Sequence, residues 1–184
     1  KYNRINDIID IYDCLIKKLK KSGFKTAVIK PIPWIYHKLP CEGELYCLSK
    51  YGISENQIQL TTTLPLFNTP IVSNLRKRMS RKAEDKGIVI RKCDDFKIFW
   101  KVLAKRLNEK YNEQPTHSCE ELEMLAQNFP LNIFLFCAFD KNVDFLGGSL
   151  IFATDTIWHT QYTTSTEIGR HSGALDKLFL ELTK

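Results

Sequence analysis

Three β-prone runs stand close together in the second half of the chain, at Ile133–Phe139, Phe145–Ala153 and 156–164. Only residues 140–144, with a turn at Asp140-Lys141-Asn142, and the pair Thr154-Asp155 separate them. Connections that short cannot hold a crossover helix, so the runs must pair as an antiparallel meander. Gly147-Gly148 in the middle run predicts a bulge or a close approach. In the third run Trp158, Thr160 and Tyr162 alternate with His159, Gln161 and Thr163. Strict period two predicts His159 and Gln161 on one face.

The residues after this run read as a tight polar turn with two glycines, Gly169 and Gly173. Ala174, Leu175, Leu178, Phe179 and Leu182 then recur at helical spacing. A helix that opens straight after a glycine turn offers free N–H groups and the positive end of its dipole. That is a physical site for a phosphate or carboxylate. The structural alternative is an ordinary strand-to-helix connection with Ser172 as N-cap.

With 43% hydrophobic and 26% charged residues over 184 positions, the composition is that of a globular protein of one ordinary domain or two small ones. The sequence has no apolar run of ~18 residues, so no membrane span is expected. Six cysteines (Cys14, Cys41, Cys47, Cys93, Cys119, Cys137) show no CxxC spacing. No metal site is expected, and free thiols in a reducing cytoplasm are. The net charge of +6 gathers at Lys17–Lys21 and at Arg76–Lys86. It reads as solvated helix faces or as attraction to an anionic partner.

Upstream, 5–21 has helical spacing and terminal lysines, and Gly23 stops it. Residues 24–30 and 57–64 read as strands, and Pro31 and Pro33 stiffen an extended aromatic segment. A helix is expected from Pro40 to Gly52. Asn68, Thr69, Pro70 and Ser73 mark a boundary. A basic helix over 74–86, a short strand at 88–90 and a helix capped by Asp94 follow. Ser118-x-x-Glu121 is a capping box for the next helix.

From residue 88 the order is strand, two helices, three antiparallel strands, glycine turn, helix. This order resembles the GNAT acyltransferase fold, and within it the subgroup related to the Fem-type peptidyltransferases. The residues that carry the likeness are Arg78-x-x-Arg81-Lys82-Ala83-x-x-x-Gly87, Phe99-Trp100, Pro115-x-His117-Ser118-x-Glu120-Glu121-x-x-x-Leu125 and Phe129-Pro130. Gly147-Gly148, His159-x-Gln161-Tyr162, Gly169 and Gly173-Ala174-Leu175-Asp176 continue it. Lys30-x-x-Pro33-x-x-Tyr36-His37 is similar to the end of a first GNAT-like lobe.

The resemblance implies an α/β (α+β) fold: a mixed, largely antiparallel sheet flanked by helices. Residues 1–70 would end an incomplete first lobe, and 71–184 would form most of a second. It further implies an N-acyltransferase acting on an amine of a sugar or cell-wall precursor. Acyl-coenzyme A pyrophosphate would bind at Gly169, Arg170, Ser172, Gly173 and Ala174. Leu175 stands where the family carries glycine or alanine. Fem-type relatives take an aminoacyl group from tRNA instead, which the basic helix over 74–86 would suit.

Acyl transfer to an amine needs a base, an oxyanion donor and an acid for the leaving group. His159 and Glu167 are the candidate bases, Tyr162 is the candidate acid, and an N–H at a bulge beside them could receive the oxyanion. Gln161, Tyr36, His37 and His117 are candidate substrate contacts. Each has a structural alternative: a sheet hydrogen bond for His159, core packing for Tyr162, cross-strand pairing for Gln161. Helix capping would account for His117-Ser118, and loop packing for Tyr36-His37. A non-catalytic GNAT-like module that binds a nucleotide or RNA is the competing function.

Overall fold

A computed structural model describes residues 4–53, 60–66 and 71–184. These residues form a mixed α/β protein with seven α-helices and one four-stranded antiparallel sheet. They fall into two compact units, Lys1–Thr62 and Thr63–Lys184.

In the first unit α1 (Ile5–Lys21) packs on α2 (Gly43–Lys50) around Tyr12, Cys47 and Leu48. The α1 helix ends as its lysines predict, with Lys18, Lys20 and Lys21 in the last turn at the negative end of the dipole. Two phenol–carboxylate bonds join the helices: Tyr12 Oη donates to Glu44, and Tyr51 Oη donates to Asp13. The strand expected at 24–30 does not form. A strand needs a ladder partner, and the described residues of this unit supply none. The proline-stiffened segment closes into a 3-10 turn at Trp34–Tyr36 rather than staying extended, and α2 starts three residues after Pro40. Of the strand expected at 57–64, residues 57–59 lie outside the described residues, and 60–64 are irregular. Asn68, Thr69 and Pro70 also lie outside them.

The second unit has three layers. Strands β1 (Val89–Lys92), β2 (Ile133–Phe139), β3 (Phe145–Ala153) and β4 (Trp158–Ser165) lie side by side in chain order. One face is covered by α4 (Phe96–Tyr111) and α5 (Cys119–Asn128). There Phe99, Leu103 and Leu122 meet Leu135, Cys137 and Leu150. On the other face Ala83 of α3 (Asn74–Asp85) and Ala174 of α7 (Ala174–Leu182) meet Ala138 and Leu146. Small side chains at those positions let the α7 backbone come close to the sheet, with α3 packed against α7. Arg76 Nη1 clamps α3 to α7 through Asp176 at 2.7 Å.

The caps follow local chemistry. Ser118 and Glu121 form the expected capping box on α5. The cap of α4 is Asp95, not Asp94; its Oδ1 accepts from Lys97 and Ile98 N–H at 3.1 and 3.2 Å. Starting at Phe96 aligns Phe96, Phe99 and Leu103 on the buried stripe. The polar turn expected before the last helix is itself helical. α6 (Glu167–Ser172) is capped by Thr166, and only Gly173 separates it from α7.

Burial first, then the Glu44 hydrogen bond, pushes the Tyr12 phenol from 10.0 up to about 12. The Asp13 hydrogen bond, then burial, does the same for Tyr51. A raised folded-state value means both bonds stabilise the fold fully below pH 10 and are lost as pH climbs to about 12. Absorbance titration of the seven tyrosines should show a component near pH 12 worth two phenols, reduced to one in Tyr51→Phe.

Candidate functional site

The β3–β4 ladder is irregular at one point, and that point sets the geometry of the site. Leu150 pairs with Tyr162, Ile151 with Thr160 and Phe152 with His159, so Gln161 is an extra residue in β4. A bulge of this kind shifts the side-chain alternation by one. The expected pairing of His159 with Gln161 on one face is therefore overturned. His159 and Tyr162 share a face instead, opposite Phe152 and Leu150, which belong to the layer under α4 and α5. Two β3 residues of rise separate their partners, roughly 7 Å along the strand. His159 is exposed and Tyr162 half-buried, so the two lie where the core meets solvent. β4 is an edge strand of the sheet.

His117 reaches the same face from the α4–α5 connection. Its Nδ1 lies 2.8 Å from Tyr162 Oη. Trp100, named in the sequence only within the Phe99-Trp100 motif, donates its indole N–H to His117 O at 3.1 Å. The Ser149 hydroxyl, absent from the expected set, donates to Tyr162 O at 3.2 Å. Thr164, opposite Gly148 on this face, keeps a buried hydroxyl without a hydrogen-bond partner. Nothing in the sequence marks Ser149 or Thr164, because their roles depend on strand register.

Glu167 is exposed in the first turn of α6, beyond the far end of β4 from His159. The strand between them spans about 20 Å, so the two do not serve one centre. Tyr36 and His37 belong to the first unit, where His37 Nδ1 is buried without a hydrogen-bond partner.

The glycine turn is packed from within. Leu146 is an extra residue where β2 pairs with β3. Its carbonyl accepts both the Thr166 N–H, at 2.9 Å, and the Thr166 hydroxyl, at 3.2 Å. Thr166 Oγ1 in turn accepts the Gly169 N–H at 3.0 Å. A Cβ on Gly169 would stand 1.9 Å from Leu146 O. Gly173 has φ +82°, and a Cβ there would stand 2.2 Å from Met79 O of α3. Ser172 is no N-cap: its hydroxyl donates to Gly169 O at 3.1 Å. Gly169, Ser172, Gly173 and Ala174 are all buried, and only Arg170 of the expected pyrophosphate set is exposed. The close approach these glycines allow is to protein main chain. The residues do not fit a pyrophosphate cradle.

Burial raises the Cys119 and Cys137 thiols above their usual range, so neither is a thiolate nucleophile at neutral pH. Among the described residues no cluster of His, Cys, Asp or Glu could hold a metal ion, and no helix is long and apolar enough to cross a membrane. No protein-family model and no curated protein matches this chain.

The glycine packing predicts a stability effect. Gly173→Ala should cost about 2–5 kcal/mol, from positive-φ strain plus overpacking, and Gly169→Ala about 1–3 kcal/mol. Thermal unfolding checks this. Native stability in both variants would mean that the glycines do not serve packing.

Proposed function

We propose that this chain is an N-acyltransferase of GNAT type, related to the Fem-type peptidyltransferases, acting on an amine of a sugar or cell-wall precursor. The observation that carries the reading is the Gln161 bulge, which leaves His159 and Tyr162 on one sheet face roughly 7 Å apart. An acyl carbonyl between them would have a base on one side and an acid on the other. His159 removes a proton from the amine, whose nitrogen attacks the carbonyl carbon. A main-chain amide at the bulge receives the oxyanion, and Tyr162 protonates the leaving group.

The buried glycine turn favours an aminoacyl ester over acyl-coenzyme A as donor. The exposed Lys77, Arg78, Arg81 and Lys82 of α3 also favour a tRNA-borne donor. That helix packs against α7 on the side of the sheet opposite the His159–Tyr162 pair. A polyanion as large as a tRNA could reach both. The same cationic surface supports the second reading, a non-catalytic module that binds RNA.

The test is transfer from aminoacyl-tRNA, and separately from acetyl-coenzyme A, to a panel of amino sugars and cell-wall precursors, followed by mass spectrometry. Transfer should fall about 100-fold or more in Tyr162→Phe and in His159→Ala. Both variants should unfold close to the native temperature. No transfer from either donor, with RNA retention that weakens as salt rises, would replace the enzyme reading by the binding module.

A further inference from the structure

His117 stands one residue before the Ser118 cap, and its backbone is held from two directions. Trp100 donates to its carbonyl, and Ser118 anchors the start of α5. Tyr162 is held as firmly, by its pairing with Leu150 and by the Ser149 hydroxyl on its carbonyl. The two rings meet edge to face, with centroids 5.9 Å apart at 76°. Both side chains are half-buried. A hydrogen bond between groups fixed independently keeps its geometry without reorganisation.

The direction of the proton in the 2.8 Å contact decides what Tyr162 can do. If the phenol donates to Nδ1, its proton is tied to the histidine. If Nδ1–H donates to the phenol oxygen, the O–H is free to point elsewhere. Only the second arrangement lets Tyr162 act as an acid. In it, the phenolate left behind accepts an N–H bond that is already in place.

We propose that His117 is a positioning residue for Tyr162 rather than a substrate contact. Its Nδ1–H turns the phenol O–H toward the leaving group and stabilises the phenolate. As the carbon–oxygen bond of the acyl ester breaks, its electron pair goes to the leaving oxygen, which takes the Tyr162 proton and departs as an alcohol. The amine, which has formed the new carbon–nitrogen bond, loses its proton to His159. That proton returns through solvent to the phenolate and closes the cycle. This role rests on the acyl-transfer reading.

Three single variants, His117→Ala, His117→Asn and Tyr162→Phe, and one double variant test it. The asparagine amide approximates the position and donor character of Nδ1. His117→Ala should lower kcat about 100-fold with KM changed less than about threefold, and His117→Asn should recover to within about tenfold of native. The double variant His117→Ala/Tyr162→Phe should be no slower than Tyr162→Phe alone. Native kcat in His117→Ala, an asparagine variant no better than alanine, or additive losses would overturn the role.

A second measurement needs no turnover. In protein labelled with 3-fluorotyrosine, the fluorine resonance missing from Tyr162→Phe belongs to Tyr162. It should move in His117→Ala and return toward its native position in His117→Asn. That response without transfer from any donor would sink the acyl-transfer reading, and reduce the His117–Tyr162 pair to a structural contact. Transfer unaffected in His117→Ala would sink the positioning role alone.

Discussion

The ladder between β3 and β4 carries one more residue on the second strand than on the first, and the chemistry of the sheet depends on where that residue is absorbed. Had Gln161 been paired, His159 and Tyr162 would stand on opposite faces, one under α4 and α5 and the other toward α3 and α7. The extra residue rotates everything before it by one position. It brings an exposed imidazole and a half-buried phenol to the same side. The energetic cost is local, one unmade pair in a ladder otherwise continuous from Gly147 to Ala153. The result is a polar pair at the rim of an apolar layer, where charge interactions are stronger than in open water.

A second extra residue, Leu146, does structural work. Its carbonyl accepts both the N–H and the hydroxyl of Thr166, the residue that caps α6. Gly169 is then required, because any side chain would collide with that carbonyl. One helical turn later Gly173 meets the α3 backbone at Met79 in the same way. Two glycines that look like a phosphate cradle in the sequence are thus explained by main chain approaching main chain. A backbone that tolerates no Cβ marks a near neighbour without saying whether that neighbour is a ligand or protein.

Much of the architecture is legible from local chemistry. The β2 and β3 boundaries follow from apolar runs ended by turn residues. The α5 start follows from a capping box whose two bonds are both made. What escapes sequence reading is anything decided across the chain. The run His159-Thr160-Gln161-Tyr162 alternates cleanly whether or not it contains a bulge, because the bulge is a property of the pairing with β3. The His117–Tyr162 contact joins residues 45 apart and leaves no local trace. Residues 24–30 have strand propensity but no ladder partner among the described residues of their unit, and propensity alone does not make a strand.

The α4–α5 connection shows how a loop can present a side chain with the rigidity of a helix. Asn112 ends α4 in a left-handed conformation, and Ser118 begins α5 with its hydroxyl on the Glu121 amide. Between them the chain is pinned where Trp100 donates to His117 O. The imidazole therefore extends from a backbone point that carries a side-chain hydrogen bond, onto a strand residue whose own carbonyl is held by Ser149. Truncating Trp100 would remove neither partner of the His117–Tyr162 pair, yet it would remove a hydrogen bond from the loop that carries His117. The indole thus reaches the phenol only through His117, by two intervening hydrogen bonds. The placement of the imidazole on this face therefore depends on Trp100, which does not itself touch Tyr162 in the bonds that hold the pair.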